Sequence, residues 1–264
     1  MAKSISKVVV LMLFASVFNG CATTLDSQGS KSSNANILRV GVTPNYPPMI
    51  FKLKGEIKGV EADLAFRLGK ALDRQVQFIE LGWDKQIQAL IEKKIDIIMS
   101  GMTITEAREA RINFTVHYLR SGLVALTRAE DASKFDDVKS PQESFSTVGV
   151  IQGTTGEVFV RDHFLKAANI ISFQKASEAP YLLKNRRIDL FIHDAPSIAW
   201  LVSENEGAVK GLWKPLNSEY LGWGVRREDQ ELLMKVNSAL NTWKKDGTLK
   251  GVLTEWLPYW KDFD

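Results

Sequence analysis

Cysteine is nearly missing, since Cys21 is the only one in 264 residues. One cysteine excludes an intrachain disulfide. Histidine is almost as scarce: His117, His163 and His193 lie far apart, without the spacing of metal ligands. No G-x-S-x-G elbow and no H-E-x-x-H pair occurs, and "GVIQGTTG" (149–156) lacks the lysine of a phosphate-binding loop. No nucleophile is therefore paired with a base, and neither a metal nor a cofactor is implied. Charge of one sign is also lacking. Lys and Arg number 34 against 31 Asp and Glu, a net charge of +3, with no basic run, which argues against a nucleic-acid partner.

Long apolar runs are absent too. "VVVLMLFASVF" (8–18) falls short of the roughly 20 residues a spanning helix needs. With Lys3 and Lys7 ahead of it, the run reads as a secretory leader. The leader ends "FNGC", with Gly20 just before Cys21, so residues 1–21 are expected to be a lipoprotein-type signal and Cys21 the lipid-bearing N-terminus. Phe18 and Asn19 depart from the usual residues at those places, and ordinary cleavage nearby is the alternative. Residues 22–36, "ATTLDSQGSKSSNAN", are small, polar and aperiodic, as in a flexible tether. Loss of Lys3 and Lys7 would lower the net charge from +3 to +1.

From Ile37 onward, strand and helix patterns alternate. "ILRVGV" (37–42) reads as a strand. "EADLAFRLGKAL" (61–72) reads as a helix carrying Leu64, Phe66, Leu68 and Leu72 on or near one face. "QVQFIEL" is a strand, "DKQIQALIEKK" a helix with Ile87, Leu90 and Ile91 inward, and "IDIIMS" a buried strand. The series then recurs: strand "STVGVI" (146–151), helix "TTGEVFVRDHFLKA", strand "IISF", helix "SEAPYLLKNRR" and strand "IDLFIH" (188–193). "IDIIMSG" and "IDLFIHD" occupy equivalent places, each after a basic helix end, "EKK" or "NRR". The stretch 121–144 joins the two series, and "YLGWGVRRED" (220–229) leads back. The last helix is expected to run from about 229 to 257 and to return to the first lobe. The expected architecture is α/β, with two lobes, each a mixed sheet flanked by helices, joined by two hinge strands. Lobe 1 would comprise 37–125 with 222–264, and lobe 2 residues 126–221.

Open α/β sheets bind ligands at the carboxyl ends of their strands. The polar residues after Met99 (Ser100, Gly101, Thr103) and after His193 (Asp194) fall there. Arg108 lies in the first turn of a helix starting near Thr105, although cations are disfavoured at that end. Thr154 and Thr155 open another helix with free backbone N–H groups. A carboxylate would meet a guanidinium, hydroxyls and a positive helix end together. Asp194 supplies the opposite charge, so the set describes a zwitterion site. Simpler readings stand beside this one: Arg108 pairing with Glu106 or Glu109, Asp194 as an N-cap ahead of Pro196, and Tyr46 and Trp83 as core aromatics.

The stretches "VGVTPNYPPMIF", "GVEADLAFRLGKAL", "MSGMTITEAREARINFTVHYLRSG", "GVIQGTTGE" and "RRIDLFIHDAP" are similar, in order and spacing, to the periplasmic amino-acid-binding proteins of ABC importers. The resemblance implies the type II periplasmic-binding-protein fold, a periplasmic or cell-surface monomer, a free amino acid as ligand, and ABC permease membrane subunits as partner. It also implies that Arg108 holds the α-carboxylate with the Thr103 and Thr155 N–H groups. Asp194, the Thr103 hydroxyl and the Gly101 carbonyl would hold the α-ammonium, with Tyr46 and Trp83 flanking the side chain. Thr43 stands where binders of basic amino acids carry an aspartate, which shifts the expectation toward a neutral polar or aromatic ligand unless another acid such as Glu157 reaches in. The periplasmic cyclohexadienyl dehydratases are similar as well. Their catalytic glutamate and lysine would fall at Ser197 and Leu123, and Ser197 is no general acid.

Overall fold

A computed structural model describes residues 36–135 and 140–258. The expected leader, Cys21 and nearly all of the tether lie outside the described residues. The first sheet has the strand order Gln75–Glu80, Ile37–Val42, Ile97–Ile98, Gly224–Val225, Asn113–Phe114. The second runs Asn169–Phe173, Thr147–Ile151, Leu190–Asp194, Leu123–Arg128, Val209–Leu212. In each, three parallel strands are followed by a fourth that pairs antiparallel with both of its neighbours, so the fifth runs with the first three. Strand Gly224–Val225 joins the first sheet only after the second series is complete, so the chain crosses between the lobes twice. The crossing segments Leu119–Ser121 and Glu219–Leu221 pair antiparallel.

The two "Ile-Asp" stretches show why the series match. Asp96 accepts a hydrogen bond from the Arg39 backbone N–H at 3.0 Å and an ion pair from its guanidinium at 2.6 Å. Asp189 does the same for the Thr147 N–H at 3.0 Å and the Arg128 guanidinium at 2.6 Å. Each aspartate thus sets the register of the third strand against the first. The basic helix ends also correspond. Lys93 (φ 61°) and Arg186 (φ 55°) are both left-handed, and the next residues donate back to Ala89 and Leu182, closing each helix so that the chain can turn into the strand.

Helix Val60–Leu72 buries Leu64 and Leu68 completely in a core shared with Trp223, Val236 and Leu240. Phe66 does not join that face. It sits two residues, about 200°, round the helix from Leu64, is 55% exposed, and packs edge-on to Phe78. Ile91 is exposed as well. A 3₁₀ turn, Trp83–Lys85, precedes helix Gln86–Ile91, and the buried set becomes Gln86, Ala89 and Leu90. The last helix is two helices, Gln230–Asp246 and Thr248–Trp256, broken at Gly247, whose φ of 83° is strained for any side chain. Both still pack on helix Val60–Leu72.

Candidate functional site

The carboxyl end of strand Ile97–Ile98 leads into Ser100, Gly101 and Thr103. Gly101 is held at φ 66°, and a Cβ there would come 2.5 Å from the Tyr46 ring. Its N–H donates to Glu61 at 2.7 Å, and the same carboxylate accepts from Tyr118 Oη (2.6 Å) and Trp223 Nε1 (2.7 Å). Glu61 is fully buried. Burial pushes its carboxyl up to about 7, although all three donors favour the ionised form. Thr43 is equally committed: its N–H donates to Ser100 Oγ, its hydroxyl to the Leu81 carbonyl, and Gln86 donates to that hydroxyl.

Thr105 caps the short helix Glu106–Glu109 by accepting from the Arg108 N–H. The Arg108 guanidinium makes no ion pair with Glu106 or Glu109 among the described residues. It turns back to donate to the Thr103 carbonyl at 2.7 Å and lies 5.3 Å from the Trp83 ring centroid. Trp83 in turn donates through Nε1 to the Gly153 carbonyl of the second lobe at 2.9 Å.

From that second lobe, Thr154 caps helix Thr155–His163 by accepting from the Glu157 N–H. Glu157 is occupied by the Gly153 N–H, Arg161 and Ser172, which removes it as a free acid for a ligand. Asp194 holds the N-cap position of helix Ala195–Glu204, yet its side chain makes no cap bond. Oδ2 accepts from Tyr46 Oη at 2.6 Å across the lobes, and Oδ1 is buried with no hydrogen-bond partner. Burial pushes this carboxyl up to about 6, opposed by the Tyr46 hydrogen bond and the Arg108 charge. His193 stacks on Tyr46 at 5.2 Å, and burial lowers its pKa to about 4, so it stays neutral near pH 7.

All ten residues expected at the site line one cavity of about 250 Å³: Thr43, Tyr46, Trp83, Ser100, Gly101, Thr103, Arg108, Thr154, Thr155 and Asp194. The volume is below the roughly 300–1,000 Å³ of drug-sized sites, which fits an amino-acid-sized guest. Asn45, Gly82, Ile151, Gln174, Lys175 and His193 complete the wall. Asn45, Ile151 and His193 fall inside the stretches that carry the family resemblance but offer no charge of their own to mark them, and Gly82, Gln174 and Lys175 lie outside those stretches. A larger groove, about 840 Å³, is lined by Trp200, Trp213 and Trp256 and offers one acid, Glu255, and no cation. It cannot clamp a zwitterion. Among the described residues no group of His, Cys, Asp and Glu is placed to hold a metal ion.

The sequence model of the bacterial extracellular solute-binding proteins, family 3, matches residues 38–259. The histidine-binding periplasmic protein of Escherichia coli K12 is 32% identical, over 86% of this chain and 88% of its own. The ABC transporter arginine-binding protein 1 of the same organism is 29% identical, over 86% and 93%. Among solved structures, an ancestral amino acid-binding protein described as a precursor of cyclohexadienyl dehydratase superposes with a TM-score of 0.78 at 34% identity, covering 84% of this chain and 96% of its own. A putative ABC transporter binding component from Wolinella succinogenes, complexed with lysine, gives 0.80 at 29%, covering 84% and 95%.

Proposed function

The chain belongs to the bacterial extracellular solute-binding proteins, family 3, and we propose that it captures a free α-amino acid between its lobes and delivers it to an ABC importer. One observation carries the reading: Arg108 of one lobe and Asp194 of the other face a single cavity, and the inner oxygen of Asp194 is buried without a partner. Arg108 forks onto the α-carboxylate with the Thr103 and Thr155 N–H groups; Asp194, the Thr103 hydroxyl and the Gly101 carbonyl take the α-ammonium. Tyr46 and Trp83, with Ser100, Thr154 and Thr43 behind them, enclose the side chain. Closure removes water from these charge-assisted bonds and strengthens them, and the closed form is what a permease reads. The relatives' names as binding and transport proteins support this role. The lipid anchor on Cys21 would hold a monomer at the membrane surface, in the periplasm or outside the cell.

The dehydratase alternative has less support. Leu123 and Ser197 are buried and neither lines the cavity, so no acid or base stands at either place.

Thermal-shift screening with the twenty amino acids tests the proposal, because a ligand that binds only the folded form raises stability. Arg108→Ala is expected to weaken binding of the best ligand by about 2–5 kcal/mol, leaving a buried carboxylate unpaired. Unchanged affinity by calorimetry in Arg108→Ala and Asp194→Ala alike would defeat the assignment.

A further inference from the structure

Glu219 does not line the cavity, carries no recognised motif, and is 93% buried (7% exposed) in the second crossing strand. Its Oε2 accepts from the Thr103 hydroxyl of the first lobe at 2.9 Å and from the Thr155 hydroxyl of the second at 3.0 Å. Its Oε1 accepts from Asn217 Nδ2 at 2.9 Å, and Asn217 Oδ1 is itself held by the Leu123 N–H at 2.8 Å. The backbone is fixed as well. Glu219 pairs with Ser121 across the crossing strands, and the Ile104 N–H donates to the neighbouring Tyr220 carbonyl. One carboxylate oxygen on the hinge therefore receives a hydroxyl from each of the two walls that must meet.

Two consequences follow from hydroxyl chemistry. A threonine hydroxyl has one proton and two lone pairs. With both protons directed at Glu219, each Oγ can present only lone pairs to the cavity, which accept from an ammonium and repel a carboxylate. The carboxylate of a bound zwitterion is left to Arg108 and to backbone N–H groups. The second consequence is geometric. Both hydroxyls can reach the same oxygen only while the lobes lie close, so the junction favours closure.

Resting on the amino-acid reading above, we propose that Glu219 is a positioning residue: a hinge latch that ties Thr103 to Thr155 in the closed form and sets the polarity of their hydroxyls, and so the orientation of the ligand. It acts through the two threonines and not by touching the ligand.

The probe is whichever of the twenty L-amino acids raises the melting temperature of the full chain most, with rates measured by stopped-flow tryptophan fluorescence. In Glu219→Ala, dissociation is expected to quicken by about tenfold or more, the effect of losing hydrogen bonds to a charged acceptor, while association stays within about threefold, as is usual among variants of one site. Glu219→Gln keeps an acceptor oxygen for both hydroxyls but turns an amide NH2 toward the Asn217 donor, so it is expected to restore part of the lifetime and to stay slower to dissociate than Glu219→Ala. Thr155→Val is expected to cost little further once Glu219 is alanine. Wild-type dissociation in Glu219→Ala, or independent additive effects of Glu219→Ala and Thr155→Val, would overturn the latch. If Glu219→Ala folds poorly, Glu219→Gln and Thr155→Val alone decide: a dissociation rate in Thr155→Val equal to wild type sinks the proposal.

Should no standard amino acid bind, the amino-acid reading fails by itself. The latch is then read from spin labels at the exposed positions Phe66 and Tyr181, changed to cysteine in the Cys21→Ser chain. Glu219→Ala is expected to lengthen the distance between them. An unchanged distribution would count against the latch whatever the ligand.

Discussion

Two carboxylates, Asp194 and Glu219, share the field of one guanidinium, and their different partners separate their roles. Glu219 receives three side-chain donors and is saturated, whereas Asp194 receives one and keeps an oxygen bare. Because burial holds the Asp194 carboxyl up near 6, pairing with an incoming ammonium at lower pH requires the carboxyl to lose its proton to solvent. Binding should then release protons below about pH 6, and affinity should fall by up to about tenfold per unit there. Above about pH 7 it should be level. The other groups facing Asp194 are Tyr46, Arg108, His193 and Glu219. His193, at about 4, stays neutral across the range, and Asp194→Asn isolates any share from Glu219. Calorimetry between pH 5 and 8 checks this; a level wild-type profile rules it out. Lys175 gives a second prediction at this scale. It lines the cavity and makes no ion pair among the described residues. Lys175→Glu should therefore move preference toward arginine and lysine over glutamate and glutamine, read as reversed order in the thermal-shift ranking.

At the level of elements, the site depends on how strands end. A helix of four residues, Glu106–Glu109, is too short to be stable alone, yet its Thr105 cap and the preceding left-handed Gly101 aim Arg108 inward. Gly101→Ala tests this turn. Left-handed backbone costs an alanine about 1–2 kcal/mol, and its Cβ would press on the Tyr46 ring, whose hydroxyl holds Asp194. Chemical denaturation should show a loss of at least that size. Ligand affinity should fall with it, and a variant as stable and as tight as the parent would refute the account.

For the whole molecule, the crossing segments connect the cavity to the core. Glu61 binds Gly101 at the cavity, Tyr118 just before one crossing strand and Trp223 just after the other. Its carboxyl rises from 4.5 to about 7 on folding. A group whose folded pKa is raised loses stability as pH climbs from the unfolded value through the folded one. Glu61 therefore contributes less stability as pH climbs from about 4.5 toward 7.5, by up to about 3 kcal/mol, while His193, whose folded pKa is lowered to about 4, works in the opposite direction below about pH 6.5. Asp194 adds in the same direction over its own window. Melting temperatures between pH 6.5 and 8, above the window in which His193 opposes it, should show the Glu61 fall; stability rising over that range would contradict it.

The local pattern was enough to reveal the two βαβαβ series, the matched Asp96 and Asp189 strands, and the polar residues at their carboxyl ends, because period and punctuation are local properties. Arg108 stood out as a cation at the wrong end of a helix, and Asp194 as the residue closing a strand. Local pattern misjudged Phe66, Ile91 and the helix broken at Gly247, where a 3₁₀ turn or one left-handed residue changes which side faces inward. Only the tertiary structure decided that the Asp194 side chain leaves its cap and turns to Tyr46, that Glu157 is already occupied, and that Glu219 and Glu61 stand behind the cavity. The Asp194 and Glu61 contacts, and those of Glu219 with the two threonines, depend on partners distant in sequence, as with Glu219 and Thr103 (116 apart) or Tyr46 and Asp194 (148 apart), whereas Glu157 is taken up by Gly153, Arg161 and Ser172, 4 to 15 positions away. A buried acid's role is set by the donors that surround it, and no stretch of neighbouring residues contains them.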